Sequence, residues 1–208
     1  TYPGFGLWAA GYVSAIPAFM LIALRGMIPD VLSIVVANLL ILGSSILFLE
    51  GVRRFCGLTG RWMLSLSLLI LPAVLNSYFT FVSNDTGMRI VIFSLFAAAI
   101  FGQASWILIR KAPPDRRFSF LFTGCLFAAH TLFLLLRAGL TCLNVVPADF
   151  LAPSPVQSLT FLCTIPVSIA WALGFIMLNS ERLEMDLKKA QVDLQRLAAT
   201  DSLTGIAN

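Results

Sequence analysis

Six stretches of this chain are almost wholly apolar and separated by short polar connections, at approximately 5–24, 31–49, 62–82, 89–109, 118–140 and 157–178. Each is close to the length of about 20 apolar residues that an α-helix needs to cross the hydrocarbon of a bilayer. A helix is also one of the few structures that satisfies its own backbone polar groups there. The composition fits no soluble domain: 59% of the residues are hydrophobic and 12% are charged, where a soluble domain carries roughly a quarter charged. We therefore expect an all-α membrane protein, with residues 1–178 forming a polytopic bundle of six transmembrane helices. The chain starts at Thr1 with no basic leader and cleavage site, so it reads as a piece of a longer protein. The tight Tyr2-Pro3-Gly4 connection suggests one further helix upstream, seven in the parent.

The charged residues orient the bundle. The connections on one side hold Arg53, Arg54, Arg61, Arg110, Lys111, Arg116 and Arg117, and the same side receives the C-terminal segment with Arg182, Lys188, Lys189 and Arg196. The other side has only Arg25, Arg89 and Arg137, which completes the 14 Lys and Arg of the chain. Basic residues are enriched on the cytoplasmic side of membrane proteins, so the C-terminus is expected in the cytoplasm.

Pro17, Pro72 and Pro166 fall deep in the first, third and sixth runs. Each removes a backbone hydrogen bond, and a kink there is expected to face protein rather than lipid. Gly11 with Ser14 and Gly43-Ser44-Ser45 read as close-packing positions between helices. The four cysteines, Cys56, Cys125, Cys142 and Cys163, have no metal or disulfide spacing and read as small apolar fillers.

Polar residues inside the apolar runs point toward function. His130 falls near mid-membrane in the fifth run and Arg137 nearer the outer face, seven positions on and hence on the same side of the helix. A charge at the bilayer centre costs several kcal/mol, roughly 2.5–3.5 even on the mildest scale, so both should face the bundle interior or a wet cavity. Asn38, Asn76 and Gln103 lie in other runs, while Tyr78, Asp30, Asp85 and Arg89 are available near the outer surface. One reading is an outward-facing pocket for a small ligand, with His130, Arg137, Asn76 and Gln103 as its candidate residues. The other is that His130 and the amides cross-link helices while Arg137 snorkels outward. A single His gives little support to haem. No nucleotide-binding loop, zinc-binding His pair, Cys-x-x-Cys pair or serine nucleophile elbow is present, so no catalytic or metal-binding residue is assigned and no nucleic-acid partner is expected.

The apolar sequence stops at Leu178, and residues 179–200 form a charged segment. Within it Leu183, Leu187, Ala190, Leu194 and Leu197 recur at spacings of 4, 3, 4 and 3, a heptad seam suited to a short parallel coiled coil between two copies of the chain. Residues 201–208 follow as Asp201-Ser202-Leu203-Thr204-Gly205-Ile206-Ala207-Asn208.

This ending resembles the Asp-x-Leu-Thr-Gly-x-x-Asn opening of a GGDEF domain, the catalytic domain of bacterial diguanylate cyclases. The helix before it resembles the signalling helix that feeds such domains. Asp201, Leu203, Thr204, Gly205 and Asn208 carry the match, and Ile206 stands where the family more often has Leu. The Gly-Gly-Asp/Glu-Glu-Phe loop and the metal-binding carboxylates are not in the sequence, so no catalytic residue transfers. The resemblance implies a sensor region in a bacterial inner membrane, acting as a homodimer through the cytoplasmic signalling helix. Its unidentified stimulus would control a parent enzyme that makes cyclic di-GMP from GTP with Mg²⁺. Two alternatives stay open, a transporter or channel and the sensor region of a histidine kinase. A transporter would favour several ionisable groups at the midplane, and the Asp201–Asn208 run argues against a kinase.

Overall fold

The computed structural model describes residues 3–143 and 155–199. In chain order the elements are α1 (Phe5–Ala23), a π-helical turn (Val31–Val36) continuing into α2 (Ala37–Phe55), and α3 (Trp62–Phe81). Next come α4 (Thr86–Arg110), a 3-10 turn (Pro114–Arg116), α5 (Arg117–Cys142) and α6 (Pro155–Ala199). Six helical segments are long and apolar enough to cross a membrane, and there is no strand among the described residues. Pro17, Pro72 and Pro166 each lie inside a helix that continues past them.

Local chemistry sets several of the ends. The Asp85 carboxylate accepts the backbone N–H of Met88 at 3.0 Å and caps α4. Helix α2 ends at Phe55, and two residues on Gly57 has a φ of 73°, the left-handed conformation that glycine tolerates best. There Leu58 N donates to Arg53 O at 2.8 Å and Gly57 N to Arg54 O at 3.1 Å, the paired bonds of a Schellman cap. The last helical residue, Phe55, lies six residues beyond the expected end of the second run at 49. Glu50, Arg53 and Arg54 are therefore helical, not part of a connecting loop.

Helix α4 is the most deeply buried span. It packs along α5 and lies across α2, α1 packs along α2, α6 closes against α5, and α3 stands at the edge against α4. Lipid offers no hydrophobic drive for helices to associate, so tight contact and interhelical hydrogen bonds must hold them. Both are present. A Cβ on Gly51 would run into the Trp8 ring, so α1 and α2 meet at nearly backbone distance. Trp8 Nε1 donates to Phe48 O at 3.3 Å, Tyr12 Oη to Ser168 O at 3.0 Å, and Ser105 Oγ to Gly124 O at 2.8 Å. Gly11 is similarly crowded, with Phe48 Cε1 2.6 Å from where its Cβ would sit, but nothing lies within 4 Å of such an atom on Gly43. Gly43 is thus no packing contact, while its neighbours Ser44 and Ser45 are buried and both donate to Ile41 O. Cys125 and Cys142 are exposed rather than filling the interior.

Aromatic rings tie α6 into the bundle. Phe175 stacks on Trp8 with centroids 4.2 Å apart, and Trp171 packs against Phe127 at 5.1 Å and Phe101 at 4.8 Å. At the end where α6 leaves the bundle, Arg182 Nη1 donates to Phe55 O at 3.4 Å. The Ser119 hydroxyl donates to the Glu181 carboxylate beside it.

Candidate ligand-binding pocket

The two ends of the bundle differ. Around the root of the α6 tail, Lys111, Arg116, Arg182 and Lys189 surround a cleft with Cys56 and Phe120. Burial pushes the Cys56 thiol up to about 11 despite Lys111, Arg116 and Arg182, which act in the other direction, so it stays protonated at neutral pH. At the opposite end a second pocket opens, with a cavity volume of about 160 Å³.

That second pocket takes Arg25 from the connection after α1, Arg89 from the first turns of α4 and Arg137 from the last turns of α5. Thr160 and Thr164 of α6 and Asn38 of α2 add neutral polar groups. Deeper in, the walls are Phe48, Phe101, His130 and Trp171, with Ile22, Ile34 and Phe93 between the two levels. No Asp or Glu is among the described residues that line it. Arg25 Nη2 donates to Ser33 O at 3.0 Å, in the π-helical turn. Arg89 donates to the hydroxyls of Thr80, at 3.3 Å, and Thr86. Burial, together with positively charged Arg89, holds the Arg25 guanidinium below its ordinary value, though Asp30 acts in the other direction.

His130 is gripped by aromatic rings. Its imidazole meets Phe101 and Trp171 edge-on, with centroids 5.0 and 4.8 Å away. Trp171 is 6% exposed, and its indole N–H has no hydrogen-bond partner among the described residues.

Two of the four residues expected in the pocket are there, His130 and Arg137, on one side of α5 as their spacing requires. Arg137 is 8% exposed, which is burial in the protein and not snorkelling to the outer surface. Asn38 joins them. Asn76 and Gln103 do not. Asn76 is buried in α3 at the bundle's edge, with its amide Nδ2 donating to Pro72 O at 2.9 Å in its own helix. Gln103 faces the α6-tail end and accepts from Arg53 Nη2 at 2.9 Å. Asn76 is thus tied within its own helix, its Oδ1 without a hydrogen-bond partner among the described residues, while Gln103 links α4 to α2, roles the apolar-run pattern could not separate from ligand binding. Arg25, Thr160, Thr164 and Trp171 were not singled out as pocket residues. The signal for Arg25 was available, because it is one of only three basic residues on the sparsely charged side.

The heptad residues Leu183, Leu187, Ala190 and Leu194 all lie on exposed surface of α6, with Leu194 66% exposed. On the same stretch Lys188 Nζ pairs with Glu184 Oε1 at 2.6 Å, one turn apart. The side chain of Leu197 and the run from Asp201 to Asn208 lie outside the described residues.

Compared with protein-family models, with curated proteins and with solved structures, the chain finds no match in any of the three. Fold and pocket together define the class on their own terms: an all-helical, multi-pass membrane protein with a buried pocket at one end and a long charged helix leaving the other.

Proposed function

We infer that this chain is the transmembrane sensory and regulatory region of a diguanylate cyclase, coupling a stimulus through a dimeric signalling helix to cyclic di-GMP synthesis. The observation that carries this is the Asp201-Ser202-Leu203-Thr204-Gly205-Ile206-Ala207-Asn208 run directly after a charged helix with a heptad seam. Helix α6 adds support, since it runs unbroken from Pro155 to Ala199. One rod therefore bears Thr164 and Trp171 in the pocket wall and Leu187 and Leu194 on its exposed tail. From Trp171 to Leu194 a helix rises roughly 35 Å. A rotation or shift of α6 at the pocket would reach the tail without crossing a connection.

The exposed leucines call for a partner helix, because a stripe this short does not hold in water alone. A second copy of the chain fits, since a parallel pair sets each seam residue against its own counterpart. In the parent, two catalytic domains would be brought face to face to condense two GTP molecules with Mg²⁺. The bistable element would be the crossing or register of the paired helices, biased by whatever favours one arrangement of the bundle. A transporter fits less well, because His130 is the one ionisable group at mid-membrane among the described pocket residues.

Placing the tail in the cytoplasm, beside GTP, follows from eleven basic residues on its side against three on the other. With the native cysteines replaced, Ser83→Cys should react with a membrane-impermeant maleimide on intact bacterial cells. Lys189→Cys should react only after lysis. The opposite pattern would put the tail outside and end the cyclase reading.

A further inference from the structure

The positive-inside bias makes basic residues scarce on the side away from the tail, yet the three that remain, Arg25, Arg89 and Arg137, all line one pocket. They come from three separate elements, so neighbouring positions in sequence do not explain the gathering. Simple topology does not explain it either, because orientation would be better served by losing them. A guanidinium is a planar fork of donors that matches a carboxylate, and bidentate pairing fixes direction as well as strength.

Below the arginines the pocket is apolar and aromatic. Its volume of about 160 Å³ is close to that of an engineered cavity, about 150 Å³, which binds benzene. The space therefore suits one aromatic ring or a short acyl chain and is small for a lipid tail. At the deep end Trp171, 6% exposed, presents an indole N–H with no partner among the described residues. A buried donor of this kind is costly unless something accepts from it.

We propose that this pocket binds a small amphipathic organic acid, with its carboxylate at Arg25, Arg89 and Arg137 and its aromatic or short aliphatic body against Phe101, His130 and Trp171. An oxygen on the far side of that body would accept from the Trp171 indole. Binding stands on the pocket alone; only its consequence for signalling rests on the cyclase reading. The same guanidinium chemistry would also suit the headgroup of an anionic phospholipid, and the cavity size favours the free acid.

The test is isothermal titration of the chain in phosphatidylcholine nanodiscs with 4-hydroxyphenylacetate, beside its neutral counterpart 4-hydroxyphenylethanol. The acid should bind about tenfold to a hundredfold more tightly, the worth of a charge-assisted hydrogen bond. Arg89→Gln and Arg137→Gln should each remove most of that advantage, and Trp171→Phe should weaken the acid several-fold. The acid-to-alcohol comparison needs no substitution, so it decides the matter even where Arg137→Gln fails to fold. Equal binding of acid and alcohol, or no binding of either, would overturn the proposal. Discs that also contain phosphatidylglycerol should leave the acid's affinity unchanged, and competition by that lipid would overturn the free-acid assignment in favour of a headgroup. No cyclase is assayed, so a failed titration leaves the cyclase reading standing, and failure of that reading leaves the titration standing.

Discussion

Glu50→Ala should destabilise the folded bundle by about 3–5 kcal/mol, the usual cost of stripping one member from a buried ion pair. Glu50 is 0% exposed although it sits near the helix end. Its Oε1 accepts from Ser65 Oγ at 2.7 Å and lies 3.8 Å from Arg53 Nε, one turn along α2. Arg53, itself 6% exposed, reaches on to Gln103 at 2.9 Å. This small network joins α2, α3 and α4 at the tail end. Removing the carboxylate would leave a buried guanidinium with only an amide for company. Ser65→Ala should cost less, roughly 1.5–3 kcal/mol, because one hydrogen bond to the carboxylate is lost while its ion pair stays. Replacing both charges, as in Glu50→Leu with Arg53→Leu, should be far milder than Glu50→Ala alone, since no unpaired charge is left behind. Thermal unfolding in detergent orders the three. If Glu50→Ala melts with the wild type, the buried pair is not holding these helices together.

The second large effect belongs to the tail. Leu187→Asp or Leu194→Asp should weaken dimerisation by at least roughly a hundredfold. Burying a leucine contributes about 1.5–3 kcal/mol, a symmetric pair counts it twice, and the new carboxylates would face each other. Both side chains lie on exposed surface of the α6 tail, so membrane insertion and thermal stability should be unchanged. Crosslinking of a single cysteine at Ala190 in membranes, with the native cysteines replaced, reads the dimer directly. Crosslinking at wild-type yield in both variants would rule out this helix as the dimer contact.

The spans were legible because bilayer thickness fixes their length and apolar content, and both are written in the sequence. Helix ends were less so. Glu50 and Arg53 look like loop residues by hydropathy, but they pair with each other inside the protein and so stay helical to the cap at Gly57. His130 and Arg137 could be placed on one wall because their spacing is a helical period. Asn76 and Gln103 misled because an amide in an apolar run marks a hydrogen bond without saying to whom; here the partners are Pro72 and Arg53. Trp171 carried no sequence signal at all. Its place beside Phe101, Phe127 and His130 exists only once α4, α5 and α6 have packed.

The central claim is that the membrane bundle governs a cyclase through α6. The most direct measurement joins residues 1–208 in frame to a GGDEF catalytic domain lacking its own sensor and quantifies cyclic di-GMP in membranes supplied with GTP and Mg²⁺. Synthesis should depend on the seam, falling at least about tenfold with Leu187→Asp and Leu194→Asp together, since condensation needs two domains held close. Inserting a single residue after Ala190, which turns the helix by about 100°, should likewise disrupt it, and inserting seven should largely restore it. Equal synthesis from all four proteins, matching the catalytic domain alone, would contradict the account.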